Sequence, residues 1–449
     1  MRQKHNSQIS IFEFFSENEV SQQLKAMGHF LDDNPSIIDL AAEDLQCSST
    51  TQVGRQGLSV GSIVRAALIQ RMMNLSYRQL SFLLTDSISF SSFTRLSQQT
   101  VSATTLQTNI SKISAQTWEA MNRELLGVAS NEGVEKGRMV RIDSTVTQTN
   151  IHQPTDSSLL NDCVRSMHSL LLKLEVHHKL GALRFHNHTR VSKRLAYNIG
   201  YSRGKNKLKL YRKLVRVTEQ TKGYLEAALR APATNQGMIY PAVVEQGEPL
   251  LALVEKVLNQ TRMRVFDGKK VPVQDKIVSI FEPHTDIIVK GSRDVQYGHK
   301  LNLITGKSGL VLDVVVEDGN PADLTQLCPM LKRQEEIYGR MPRQMAADGG
   351  YASQDNLKAV KEMGVKDVAF NKKKGLKIEE MASSKWVYSK LRNFRAGVEG
   401  NISWLKRSFG LSRCLWKGLA KFKAYIWASS FAHNLLIMGR KQLAKAASG

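Results

Sequence analysis

The chain has 449 residues, of which 42% are hydrophobic and 7% aromatic, which excludes a wholly disordered protein and predicts two or three domains. Its formal net charge of +23 indicates a polyanionic partner, with nucleic acid first and an anionic membrane surface second. The sequence does not support a membrane, because the longest uncharged apolar stretch, residues 424–439, is too short for a typical span. The four cysteines are scattered, which predicts a reducing compartment and no zinc site.

Short helices with brief turns are predicted over 11–15, 20–31, 59–73, 76–84 and 90–96, and a longer helix over 102–128 follows them. We expect exposed arginines on them, namely Arg65, Arg71, Arg78 and Arg95. Such a group resembles a helix-turn-helix-like DNA-binding module. A helical bundle that only packs on the core fits the same pattern equally well.

The first predicted strand is Val140-Arg-Ile-Asp-Ser-Thr-Val-Thr147, and it carries Asp143 in its middle or near its end. Residues 152–283 then predict a mostly helical insertion. Its basic amphipathic segment, Arg203–Arg216, fits a solvated face and a phosphate contact equally well. The histidines of the insertion lack acidic or cysteine partners at ligand spacing, so no metal is predicted there.

Three further strands are predicted over 287–290, 298–305 and 309–316. The fragment Gly306-Lys-Ser joins two of them and lacks the upstream glycine of a phosphate-binding loop, so we reject a nucleotide cofactor. Asn320-Pro321 is expected to start a helix that runs through Ile337. Asp348 follows a small-residue strand, and Gly349-Gly350 leave room beside its carboxylate.

A long helix is predicted over Lys385–Ser408, because the run has no proline and has good helix formers at both ends. The spacing of Arg395, Glu399 and Lys406 returns them to nearly the same side of this helix. Alone, this pattern favours ordinary surface ion pairs. Two aspartates at strand ends and a glutamate on a later helix together favour Mg²⁺, which prefers oxygen ligands and shares its sites with phosphates.

These residues resemble the catalytic motifs of bacterial insertion-sequence transposases of the DDE class, whose core has the RNase H-like fold. Asp143, Asp348 and Glu399 match the DDE triad. Arg395, Glu399 and Lys406 match the signature Tyr-x2-Arg-x3-Glu-x6-Lys, in which Arg392 stands at the tyrosine position. Similar blocks are Arg141-Ile-Asp-Ser-Thr145, Tyr297-Gly-His-Lys300, Gly319-Asn-Pro-Ala-Asp323 and Ala347-Asp-Gly-Gly-Tyr351.

The resemblance implies an α/β fold with an RNase H-like mixed β-sheet core, a helical insertion and an N-terminal all-α DNA-binding domain. We expect this DNA-binding domain over 1–136, the core over 137–151 and 284–410, the insertion over 152–283, and a C-terminal basic helical segment over 411–449. Implied partners are double-stranded DNA of the element ends and the target, bound by a dimer. The expected location is cytoplasmic and nucleoid-associated.

The resemblance also implies metal-dependent phosphodiester cleavage and strand transfer. Asp143 would bridge two Mg²⁺ ions about 3.5–4 Å apart, with Asp348 and Glu399 on one ion each and Mn²⁺ as a substitute. Arg395 and Lys406 would hold phosphate oxygens, and His299, Lys300 and Arg392 are further candidate DNA contacts. Two alternatives remain open, namely a nuclease that cuts without joining and a DNA-binding regulator derived from a transposase.

Overall fold

The computed structural model describes residues 18–46, 57–96, 100–178, 183–233, 240–290, 294–371 and 375–448. The helix expected over 11–15 lies outside these ranges. Within them, no helix is long and apolar enough to cross a membrane.

The chain divides into two compact units. The first unit comprises Met1–Thr149 and Gly298–Gly449, and the second comprises Asn150–Tyr297. The N-terminal helices, most of the sheet and the C-terminal helix therefore share one unit. The finer division of this unit into a DNA-binding domain, a core and a C-terminal segment stays a prediction.

The N-terminal part of the first unit is all helical, as expected. Its helices are α1 Glu19–Asp33, α2 Pro35–Asp39, α3 Ala42–Gln46, α4 Val60–Met72, α5 Tyr77–Asp86, α6 Ile88–Thr94, α7 Ala103–Ile110 and α8 Ala115–Asn131. Serine N-caps start several of them, because the hydroxyl accepts a hydrogen bond from a free backbone N–H of the first turn. The single helix predicted over 102–128 is wrong, because Ser114 caps a new helix by accepting from the Thr117 amide.

The expected exposure of Arg65 and Arg71 is also wrong. Every residue of helix α4 from Val60 to Arg71 is buried, so its arginines are buried with it. Arg65 pairs with Asp32 at 2.6 Å, and the Arg71 guanidinium lies 4.1 Å from the centre of the Tyr425 ring. Helix α4 is therefore the central helix of this group and presents no face to a DNA groove.

The second unit carries the helices α9 Asp156–Glu175, α10 Thr189–Tyr201, α11 Gly204–Arg230, α12 Tyr240–Val244 and α13 Gly247–Thr261. A π-helical turn, Arg262–Phe266, and a 3₁₀ turn, Val273–Asp275, follow them. The unit has a hydrophobic core of its own, built mainly on α9, α10, α11 and α13. The mostly helical character predicted for this region matches the structure.

The later helices of the first unit are α14 Asp323–Tyr338, α15 Gln354–Glu362, α16 Ile378–Met381, α17 Lys385–Ser408 and α18 Leu419–Ser448. Helix α17 has the predicted bounds, and Ser384 caps its start. Helix α14 begins at Asp323 and not at Asn320-Pro321, because Ala322 is still extended. Helix α18 packs against α1, α4, α8 and strand β4 (Val311–Val316), which joins the N-terminal helices and the sheet in one hydrophobic core.

The remaining strands are β1 Met139–Gln148, β2 Asp286–Lys290, β3 Asp294–Gly306, β5 Gln344–Ala347 and β6 Asp367–Phe370. The strand order is β2-β3-β1-β5-β6, and β4 pairs with β3 beside this path. Strand β1 is antiparallel to β3 and parallel to β5, while β5 is parallel to β6. An antiparallel part that continues into parallel strands joined by helices is the mixed RNase H-like sheet that was expected.

Candidate active site

Strand register places the two predicted aspartates side by side. Strands β1 and β5 are parallel, and Ile142 pairs with Ala347. Asp143 and Asp348 each come one residue later, at the point where the pairing of β1 with β5 ends. The Ser144 amide donates to the Asp143 carboxylate at 2.8 Å. Asp143 and Asp348, which are 205 positions apart in the sequence, thus lie next to each other because the register of the parallel strands β1 and β5 pairs the residues just before them.

Helix α17 brings the third carboxylate and a cation to this point. The Arg395 guanidinium lies 3.1 Å from the Asp143 carboxylate, 3.2 Å from that of Asp348 and 2.8 Å from that of Glu399. The Arg395 side chain is only 10% exposed, whereas that of Glu399 is 68% exposed. The buried Arg395 guanidinium therefore contacts all three carboxylates, one from β1, one from the residue after β5 and one from α17.

A close approach of α17 to β1 sets the position of this helix. The Arg141 guanidinium donates to the Phe394 carbonyl at 2.9 Å and to the Thr305 hydroxyl at 2.9 Å, and it lies over the Phe394 ring. Burial lowers the pKa of Arg141. A Cβ atom at position 397 would collide with the Arg141 guanidinium, so Gly397 is required for this contact. Sequence reasoning gave no separate role to Arg141 or Gly397.

Strand β6 supplies one more neighbour that sequence reasoning missed. Asn371 follows β6, its backbone amide donates to the Ala347 carbonyl at 3.1 Å, and its side chain lies 3.5 Å from the Asp348 carboxylate. The strand has only four residues, all buried, so it shows no alternation that would reveal it in the sequence. Asn371 thus borders Asp348 on the side away from β1.

A cavity of about 420 Å³ opens beside Asp143 and Glu399. Its other lining residues come from the second half of β1 and the second half of α17, namely Ser144, Thr145, Ile402, Ser403, Lys406 and Arg407. Lys406 therefore lines the same cavity as two of the carboxylates, and its contact with phosphate stays a prediction. Arg392 is exposed on α17, three residues before Arg395.

His299 and Lys300 lie elsewhere. Both are buried on β3, opposite Thr147 and Val146 of β1. The His299 ring packs edge-on against Phe422, and the Lys300 ammonium lies 2.6 Å from the Asp323 carboxylate. Neither side chain lines the cavity, and their contact with DNA stays a prediction.

The chemistry of the three carboxylates suits a hard divalent cation. The Arg395 guanidinium is surrounded by the carboxylates of Asp143, Asp348 and Glu399, and carboxylate oxygens are the ligands that Mg²⁺ prefers. In this structure the positively charged Arg395 guanidinium occupies the space between the three carboxylates. With the guanidinium between them, the carboxylates are not close enough together to hold a metal ion. The described part of the chain contains no group of three or more His, Cys, Asp or Glu side chains that could hold one.

Two family models match the chain, and together they cover more than half of it. Residues 259–435 match the family described as "Transposase DDE domain", and residues 18–112 match "Transposase domain (DUF772)". The first match includes Asp348, Arg395, Glu399 and Lys406 but begins after Asp143. No curated protein and no solved structure matches the chain. The order of the two matches, the RNase H-like sheet and the convergent carboxylates agree with one another. The chain belongs to the DDE-class transposases of insertion sequences.

Proposed function

We propose that this transposase binds the ends of its element and catalyses Mg²⁺-dependent phosphodiester cleavage and strand transfer at Asp143, Asp348 and Glu399. The observation that carries the proposal is the convergence of these three carboxylates on one guanidinium, at the end of parallel strands. Members of the family use a divalent metal, and an all-carboxylate donor set favours Mg²⁺, with Mn²⁺ as a substitute.

The three carboxylates would hold the metal, as two ions in the arrangement that we favour. Bound there, the metal would supply Lewis-acid polarisation of the phosphate and a more acidic attacking water. The side chains and backbone of this protein orient the carboxylates. The Asp143 carboxylate is fixed by the Ser144 amide, and Asn371 borders Asp348, so both carboxylates are oriented before DNA arrives.

The cations around the carboxylates divide into two roles. Arg395 is a positioning residue, because its guanidinium offsets the mutual repulsion of three carboxylates within 3.2 Å of it. Lys406 borders the open cavity beside Asp143 and Glu399, where it would contact a phosphate oxygen of the cleaved strand. Arg392, exposed one turn before Arg395, would contact the same strand. None of these contacts reads base sequence.

The partner in this proposal is double-stranded DNA of the element ends and of the target. A dimer on DNA follows from the need to bring two ends together. The reaction uses no nucleotide cofactor, since water and the freed 3′-hydroxyl are the nucleophiles. The protein would work on the cytoplasmic nucleoid, where its substrate lies.

The test is a cleavage assay on a supercoiled plasmid that carries the element ends, with Mg²⁺ or with EDTA. We expect Glu399→Ala to reduce end cleavage by about 10³-fold or more, because a lost Lewis-acid contact is worth several kcal/mol. Glu362→Ala is the matched control, since that side chain is 67% exposed on α15 and pairs with Lys358 and not with Arg395.

The outcomes separate the possible activities. Joined products in Mg²⁺ identify a transposase that completes strand transfer, and end cleavage without joining identifies a nuclease. Tight DNA binding without cleavage in any divalent metal would reject the proposal in favour of a DNA-binding regulator. Cleavage by Glu399→Ala at the rate of Glu362→Ala would reject the assignment of the site.

A further inference from the structure

The second unit contains a long segment without negative charge. Between Glu175 and Glu219 the sequence has twelve lysine and arginine residues and no aspartate or glutamate. A solvated protein face normally mixes both signs, because a field of one sign repels itself. A single-sign segment of this length therefore favours a polyanionic partner.

The segment folds into one surface. On α10, Arg190, Arg194, Tyr197 and Tyr201 are spaced by four, three and four residues, and all four are exposed. On α11, Lys205, Lys209, Arg212 and Arg216 repeat the same spacing and are also exposed. This spacing keeps each set on one side of its helix. We name the eight residues the α10–α11 surface.

Each stripe lies on the solvent-exposed side of its helix. The opposite sides of α10 and α11 are buried in the core of the unit, through residues such as Leu195, Ile199, Leu214 and Val215. Both helices pack on α9 and on each other, and only two residues connect them. A short connection makes the helices antiparallel neighbours, so the first three turns of α11 lie beside α10.

The cations of this surface are unpaired in the described part of the unit, where none of them lies within ion-pair distance of a carboxylate. Further along the same helix the situation changes. Lys222 lies 2.7 Å from Glu255 and 3.4 Å from Glu226, and Glu219 pairs with Arg262 at 2.5 Å. Helix α11 thus has one half with neutralised charges and one half whose charges are available to a ligand.

The tyrosines indicate which polyanion fits. Tyr197 and Tyr201 are 65% and 77% exposed, and their ring centres are 4.8 Å apart. Exposed aromatic rings among lysines and arginines are typical of proteins that bind single strands, because each ring can stack on an unpaired base. In a duplex the base faces are already stacked on one another.

We propose that the α10–α11 surface binds an unpaired DNA strand, with the cations on phosphates and Tyr197 and Tyr201 on bases. The inference rests on the proposed function, since cleavage of one strand at an element end frees a 3′ end whose bases are able to separate from the partner strand. It adds a second contact for the strand, on a unit that carries none of the three convergent carboxylates.

The test compares two variants of the full chain with one control. The first variant carries Arg190→Gln, Arg194→Gln, Lys209→Gln and Arg212→Gln. The second carries Tyr197→Ser and Tyr201→Ser. The control removes four exposed cations elsewhere in the same unit, through Lys173→Gln, Lys256→Gln, Lys269→Gln and Lys270→Gln, so the change in net charge is identical. Thermal unfolding checks that all three proteins fold.

Affinity for a single-stranded oligonucleotide is measured over a series of salt concentrations. For the first variant we expect at least about tenfold weaker binding and a salt slope smaller by about 3, since each lost phosphate contact removes about 0.7. For the tyrosine variant we expect about tenfold weaker binding at an unchanged slope, as one stacked base is worth about 1–3 kcal/mol. The control should bind within about twofold of the wild type.

Two results would overturn the inference. One is binding of the single strand by the first variant as tight as by the control. The other is unchanged DNA binding together with lost binding to phosphatidylserine vesicles, which would assign the surface to a membrane. The plasmid cleavage assay is run on the same proteins. Wild-type cleavage with either result would reject this inference alone, while no metal-dependent cleavage would reject the proposed function.

Discussion

The cations at the convergent carboxylates and those of the α10–α11 surface are the same residue types used in opposite ways. Arg395 is buried and contacts three carboxylates, whereas Arg212 is exposed and lies near none among the described residues. A paired, buried guanidinium holds neighbouring groups in position and is not available to bind a ligand. An exposed, unpaired one adds little to folding and remains available to phosphate. Burial and partners, and not residue type, therefore decide what an arginine does in this protein.

Removing an arginine that pairs with a buried carboxylate should have the largest effect on folding. Arg333 contacts the buried Asp313 carboxylate through two nitrogens at 2.6 and 2.8 Å, and this carboxylate raises the pKa of Arg333. Arg333→Gln leaves Asp313 uncompensated and should lower the free energy of unfolding by about 3–5 kcal/mol. Urea denaturation measures it. Arg212→Gln should stay within about 0.5 kcal/mol, and equal losses for both variants would remove the distinction.

A buried basic group without a carboxylate partner should instead stay neutral. His433 is enclosed by Trp404, Phe409 and Asn434, and Arg440 lies nearby. Burial lowers the pKa of His433 from its usual 6.5 to about 4. Between pH 6.5 and pH 4 the His433 imidazole binds a proton in the unfolded chain but stays neutral in the folded chain. Stability is therefore fully present above pH 6.5 and falls as the pH drops towards 4, by about 3 kcal/mol at most.

The measurement for His433 is the urea midpoint as a function of pH. In His433→Gln the decline between pH 6.5 and 4 should become shallower, while the exposed His29→Gln should keep the wild-type profile. Parallel profiles for the wild type and His433→Gln would show that this histidine does not titrate between the two states.

Replacing Arg395 tests the paired cation at the carboxylates themselves. Arg395→Gln should reduce cleavage by about 10–100-fold, the usual effect of losing a group that orients metal ligands. The same change should increase the rise in melting temperature that Mg²⁺ produces, because the guanidinium no longer competes for the carboxylates. Arg395→Lys keeps the charge without the fork and should lie between the two proteins. An unchanged response to Mg²⁺ would contradict this competition.

The smallest effect is expected at Gly397, where Arg141 crosses α17. Gly397→Ala gains helix propensity but forces Arg141 away, with a net loss of about 1 kcal/mol of stability and slower cleavage. Gly400→Ala is the matched control on the same helix, because no atom lies within 4 Å of its added Cβ. That control should be stabilised by about 0.5–1 kcal/mol in thermal unfolding. Equal stabilisation of both variants would show that Arg141 moves at no cost.

Local rules were enough to predict several features of the chain. Helix α17 was predicted to its ends, because propensity and a serine cap act over a few residues. The placement of Asp143 on a strand and of Asp348 directly after one also came from short patterns. The same local rules failed at α4, whose arginines are buried because the helix is enclosed on all sides, and at β6, which is too short to alternate.

By itself the sequence determined which residue types are present and which helix or strand carries them. It placed three acidic residues on or next to two strands and on one helix, and it contains a stretch of lysines and arginines without acidic residues. The tertiary structure alone decided which of those charges meet. Arg395 reaches Asp143 across 252 residues, and Arg141 reaches the Phe394 carbonyl across 253. Such contacts depend on strand register and on helix packing over Gly397. These arise only when distant segments are brought together, so no local pattern contains them.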